Sequence, residues 1–102
     1  MPKLEGMSSG MQHTAPTLFC LLAQYGGKTI VPLDVVCRDF FNHLSVEKLL
    51  RKCLAGEIAL PIYRAEESQK AMRGVHVSDL ALYIDNRRAA AVKEAEQLCG
   101  KS

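Results

Sequence analysis

The sequence predicts a mainly helical α+β domain, and three observations predict it. From Leu33 to Leu54 apolar residues recur at helical spacing in two blocks with a short break between them. From Ile58 to Val77 the period changes to an alternation of apolar with polar or small residues. After Ser78 helical spacing returns and runs almost to the end of the chain. Spacing of 3.6 marks a helix with one dry face, and spacing of 2 marks a half-buried strand.

The elements follow in order. Met1 to Pro16 is rich in Gly, Ser and Met without periodicity and reads as a flexible arm; Met7 and Met11 are alternative starts. Thr17 to Tyr25 reads as a short helix, Gly26-Gly27 as a turn, and Lys28 to Val31 as a short strand able to pair with a later hairpin. The next helix runs from about Leu33 to His43, with Leu33, Val36, Cys37, Phe40, Phe41 and Leu44 on one face. Pro32 is expected at its first helical positions, where a missing N–H costs nothing. Asn42, His43 and Leu44 form a connection short enough for a helix-turn-helix.

Ser45 is a good N-cap for the helix 45–55, since its hydroxyl can accept from a backbone N–H of the first turn. Val46, Leu49, Leu50, Cys53 and Leu54 share the dry face. Lys48, Arg51, Lys52 and Ala55 share the opposite one, and Gly56 supplies the positive φ that helices favour just past their end. Ile58, Leu60 and Ile62 alternate as a strand, with Pro61 restricting it to an edge or an end. Glu66 to Ala71 is polar and unpatterned, a loop long enough for a wing, and Val75 to Val77 resumes the alternation. Ser78 is expected to cap a last helix over about 78–99, whose Leu80, Ala81, Ile84, Ala91, Val92, Ala95 and Leu98 keep helical spacing. This order is that of a winged helix-turn-helix of the MerR/excisionase-like kind with an added C-terminal helix. The domain division is therefore a flexible arm over 1–16 and one folded domain over 17–102.

Charge narrows the function classes. The chain has 102 residues, 48% of them hydrophobic, and a net charge of only +2, so no global field argues for nucleic acid. The basic signal is local: between Ser45 and Val77, Lys48, Arg51, Lys52, Arg64, Lys70 and Arg73 outnumber Glu47, Glu57, Glu66 and Glu67. The four cysteines form no CxxC pair and no metal-ligand spacing with the histidines, so they read as structural thiols, with no metal and no cofactor implied. Reduced thiols fit a cytoplasmic protein. The run from Leu18 to Ala23 is far too short to span a membrane and lacks the flanks of a signal peptide. His43 and His76 are distant in sequence, no Ser or Cys lies beside an activating group, and Gly26-Gly27 is not a phosphate-cradling loop, so no enzyme is expected.

Three long blocks, Ala23 to Phe41, Leu49 to Arg64 and Ser68 to Arg88, stand in one order and with one spacing that resemble the pyocin activator (PrtN-like) family. The likeness covers about Thr17 to Leu98, and family members begin near the Thr17-Leu-Phe block, so Met1 to Pro16 departs from the pattern. The resemblance implies a bacterial transcription activator. Such proteins bind a DNA element upstream of phage-tail-like bacteriocin genes, under a repressor whose hold DNA damage relieves. It assigns no individual contact residues, and the following rest on the sequence alone.

Helix 45–55 is expected to enter a major groove of double-stranded DNA, with Arg51 as base reader because its planar fork matches guanine O6 and N7. Ser45, Lys48 and Lys52 would hold the backbone. Arg64, Gln69, Lys70 and Arg73, in the wing region 60–77, would touch backbone or minor groove, and Arg38 is a further phosphate candidate. For each cation the plain alternative is solubility or a surface ion pair. Leu80, Ile84, Ala91, Ala95 and Leu98 are expected to form a homodimer that reads two half-sites; the alternative is that the last helix packs back on the first near Leu18 and Leu22. RNA polymerase is a further candidate partner, and no membrane or small-molecule ligand is implied. Two other function classes stay open. One is an excisionase-like architectural protein that bends DNA, and the other an antirepressor-type protein-binding module, which Glu66 and Glu67 would suit because they repel phosphate.

Overall fold

The computed structural model describes residues 14–68 and 70–100. Its elements are helix α1 (14–24), strand β1 (Ile30–Pro32), helices α2 (Leu33–Phe40) and α3 (Val46–Leu54), strands β2 (Tyr63–Arg64) and β3 (Arg73–His76), and helix α4 (Val77–Cys99). The class is α+β and mostly helical, as expected. No described helix is long and apolar enough to cross a membrane.

The strands form one antiparallel sheet in the order β1-β3-β2. Ile30, Val31 and Pro32 lie opposite His76, Val75 and Gly74, while Tyr63 and Arg64 lie opposite Gly74 and Arg73. The expected pairing of the first strand with the hairpin is thus present, and β3 is the central strand. Val31, Val36, Leu49, Val75 and Leu80 are completely shielded from solvent, and Leu21, Leu33, Phe41, Leu60, Val77 and Ala81 complete most of the core around them. Gly74 is required by this packing. A Cβ there would lie 2.7 Å from the Val31 carbonyl oxygen and 2.8 Å from Ile30 Cγ2, closer than real carbon atoms approach.

Several boundaries differ from those the sequence predicts, each for a local reason. Residues 14–16 are helical, so the arm expected through Pro16 stops short of them; residues 1–13 lie outside the described residues. The strand expected at Lys28–Val31 is Ile30–Pro32, and Pro32 is the N-cap of α2 at φ −55° and ψ 145°, not a residue of its first turn. Helix α2 stops at Phe40 instead of His43, because Phe41 turns out of helical geometry at φ −135° and ψ 44°. That turn buries the Phe41 ring, which stacks at a tilt 5.8 Å from Tyr83. The Cys37 thiol reaches the Leu44 carbonyl at 3.2 Å and closes the turn between α2 and α3 from beneath.

The alternation at Ile58, Leu60 and Ile62 is real in burial but not in strand pairing. Leu60 is buried, with Ile58 and Ile62 packed against the core, yet only Tyr63 and Arg64 join the sheet. Pro61 has no N–H for a ladder, and the Leu60 N–H turns back to the Ile58 carbonyl at 2.8 Å. At the last helix the N-cap is His76 and not Ser78: the His76 Nδ1 accepts from the Ser78 N–H at 3.0 Å.

Candidate nucleic-acid interface

Helix α3 is amphipathic by construction. Ser45 caps it, its Oγ accepting from the Lys48 N–H at 3.2 Å. Leu49 and Cys53 are buried and Leu50 half-buried, whereas Val46 and Leu54, read as part of the same dry face, are exposed at its margins. Gly56 follows at φ +80°, as a helix end of this kind requires. Of the cations on the outer face, Lys48 and Arg51 are exposed. Lys52 is different: half-buried, its Nζ lies 3.3 Å from Glu57 Oε1, so part of its charge is already answered within the chain. Burial of Cys53 pushes its thiol above the ordinary range, in keeping with a structural role.

The hairpin β2–β3 carries the second group of cations. Arg64 and Arg73 are direct cross-strand partners. The Ala65 N–H donates to the Met72 carbonyl at 3.2 Å in the next pair toward the loop. Hydrogen-bonded and non-hydrogen-bonded pairs alternate along an antiparallel ladder, so Arg64–Arg73 is of the second kind, in which side chains lie closest. Like charges placed directly opposite destabilise a hairpin. Moreover, the Arg73 Nε is shut off from solvent and has no hydrogen-bond partner. Lys70 is exposed in the loop, its N–H held by Ser68 Oγ at 3.1 Å, and Gln69 lies outside the described residues. Glu66 and Glu67 are exposed in the same loop.

One open groove of about 360 Å³ lies between α3 and the hairpin; among the described residues Arg73 is the one cation lining it, with Asp34 and Glu47 as its acids. Val46, Glu47 and Leu50 of α3 line one wall, Ala71, Met72 and Arg73 of the hairpin another, and Leu33 and Asp34 of α2 the floor. The first turn of α3 and the base of the hairpin are therefore neighbours, although they are far apart in sequence.

Arg38 stands apart from both groups. Its Nε lies 3.0 Å from Asp39 Oδ1, and Asp39 Oδ2 accepts from the Tyr25 hydroxyl at 2.6 Å. The Arg38 guanidinium, and after it the Tyr25 hydroxyl, hold the Asp39 carboxyl below the usual carboxylate range. Burial, and then the bond to Asp39, push the Tyr25 phenol well above its ordinary value. Asp39 thus links α2 to the turn after α1 through Tyr25, and Arg38 is engaged by that carboxylate.

The residues predicted to lie between copies divide sharply. Leu80 is completely buried in the chain's own core and Ile84 is half-buried against it, so Leu80 has no surface to offer a second copy. Thr17 Oγ1 donates to Asp85 Oδ1 at 2.7 Å, and Leu18 and Leu22 pack against the core, so the first part of α4 does lie against α1. Ala91, Ala95 and Leu98 are exposed. The alternative of packing back on the first helix thus describes the first half of α4.

In comparison with known proteins, the family model described as pyocin activator protein PrtN matches residues 17–91. Neither the curated proteins nor the solved structures yield a match to the chain.

Proposed function

The chain belongs to the pyocin activator (PrtN) family, and from that premise we propose that it activates transcription of pyocin genes by binding double-stranded DNA upstream of them. The observation that carries the DNA-binding part is the Arg64–Arg73 pair. Two arginines set directly opposite one another cost the hairpin stability, and an anion bound between them relieves that cost. A phosphate fits that role, because guanidinium groups bind its oxygens through charge-assisted, often bidentate hydrogen bonds. Helix α3 turns Val46, Glu47 and Leu50 to the groove and presents Lys48 and Arg51 to solvent on other sides of the helix. On this reading the chain is a winged helix-turn-helix, with α2 and α3 as the paired helices and β2–β3 as the wing.

In this reading α3 lies in the major groove, Arg51 reads guanine, and Ser45 and Lys48 hold the backbone. Arg64, Lys70 and Arg73 clamp phosphates at the wing. Lys52 and Arg38 contribute less, since Glu57 and Asp39 already engage them. The protein acts as a binder without catalytic step or cofactor, in the cytoplasm at the nucleoid, after DNA damage, with RNA polymerase as its second partner.

Fluorescence anisotropy on duplexes from upstream of pyocin genes tests the reading. Binding should prefer those duplexes to scrambled ones and weaken steeply with salt, by a slope of about −0.9 per neutralised phosphate. Absence of both features would remove DNA from the account. A promoter reporter then separates activation from DNA bending alone.

A further inference from the structure

Helix α4 has two unlike halves. Residues 77–85 contain all its buried and half-buried positions, while every residue of 86–99 is exposed. The outer half extends about 21 Å beyond the body at the rise of an α-helix. Its sequence holds it helical without tertiary support, since Ala89, Ala90, Ala91 and Ala95 are strong helix formers continuing from a packed start. It is not a plain solvated helix, however. At 3.6 residues per turn, Ile84, Ala91, Ala95 and Leu98 fall within about 60° of arc, so the face that packs on the body at Ile84 runs on, uncovered, to Leu98. Leu98 is 79% exposed.

We infer that a second copy of this chain covers that face, with the two outer helices antiparallel. Charge selects both the occupant and its direction. Arg87 and Glu94 border the same edge of the apolar face two full turns apart, too far to pair within one helix. In an antiparallel pair like edges meet, and Arg87 of each copy comes opposite Glu94 of the other. Leu98 of each copy then comes about level with Ile84 of the other, which continues the apolar face of one body with the tip of its partner. Arg88 lies just outside the opposite edge of the face, where the nearest residues of the opposing helix are Val92 and Ala95. A parallel pair, in which opposite edges meet, would instead bring Arg88 of one copy beside Arg87 of the other and leave Glu94 without an opposite charge. The arrangement sets the two bodies at opposite ends of a shared rod. The contact is short, so a weak dimer is expected, and nothing in it depends on DNA.

Sedimentation equilibrium of the full reduced chain, from the low micromolar to the hundreds of micromolar range, tests the inference. The native chain should dimerise reversibly, and Leu98→Glu should abolish it. Arg87→Glu and Glu94→Arg should each weaken the dimer about tenfold by turning two attractive pairs into repulsive ones. The two reversals in one chain should restore it to within about threefold of native. All four variants should melt as the native chain does when dilute, since residues 86–99 lie outside the core. A native chain that stays monomeric throughout, or a double reversal weaker than either single one, overturns the proposal.

Discussion

Strand β3 and helix α3 each face two ways, and the two sides obey opposite rules. Along its inner edge β3 meets β1 with Val75 opposite Val31, both fully shielded, and with Gly74 so close that no Cβ fits. Along its outer edge the same strand sets Arg73 against Arg64. Helix α3 buries Leu49 on one side and turns Lys48 and Arg51 to solvent on the other. The inner sides are built for stability. The outer sides carry concentrated positive charge, a departure from the local rules that fits the partner surface proposed for them.

Substitutions on the inner sides should have the largest effects and act on folding alone. Leu49→Ala removes a fully shielded side chain from the centre of the core and should cost about 2–5 kcal/mol, read from urea unfolding. Gly74→Ala forces β1 and β3 apart at the Val31 carbonyl and should cost about 1–3 kcal/mol by the same measurement. An unchanged midpoint for either would break the distinction between the two sides.

On the outer sides the effects should fall on binding. Arg51→Ala should cost about 1–3 kcal/mol on the preferred duplex and flatten the preference for it, with the melting temperature within error of native. Arg64→Ala sharpens the comparison further, because two quantities should move in opposite directions. It should weaken DNA binding almost equally across sequences and lower the salt slope by about 1. Meanwhile it should leave folding stability unchanged or raised by a few tenths of a kcal/mol as the like-charge pair is lost. Loss of folding stability on Arg64→Ala would show the pair to be structural.

The smallest effect belongs to Asp39, which lies in neither group. Its carboxyl is held below the usual range by Arg38 and Tyr25, so the folded form favours its ionised state. The stability this provides is complete above the unfolded value of about 3.9 and is lost as pH falls through the lower folded value. Asp39→Asn should therefore alter the acid limb of the stability curve below about pH 4 and leave the curve above pH 6 parallel to native. A divergence near neutral pH would contradict this.

The legible parts of the molecule were those governed by near neighbours in sequence. Helical spacing fixed α2 and α3, the cap at Ser45 and the positive φ at Gly56 followed from residue type, and the charged outer face of α3 could be read directly. The parts that escaped depend on partners distant in the chain. Hairpin register decides that Arg64 faces Arg73, and nothing in the run Glu66 to Ala71 sets that register. Phe41 ends α2 early only because Tyr83 awaits its ring. Leu80 has the spacing of an interface residue, yet its burial is decided by where the core ends along α4. Arg38 and Lys52 differ in kind: their partners Asp39 and Glu57 are one and five residues away, but spacing alone does not show that these charges meet.

The central claim is that the charged side of the hairpin and of α3 forms one phosphate-binding, base-reading surface. The most direct test is a salt titration of anisotropy with a duplex from upstream of pyocin genes, comparing native protein with the Arg64→Ala, Arg73→Ala double variant. The account predicts steep salt dependence for the native protein and a slope shallower by about 2 for the variant, with preference over scrambled duplex largely retained through Arg51. Equal slopes for the two proteins would contradict it.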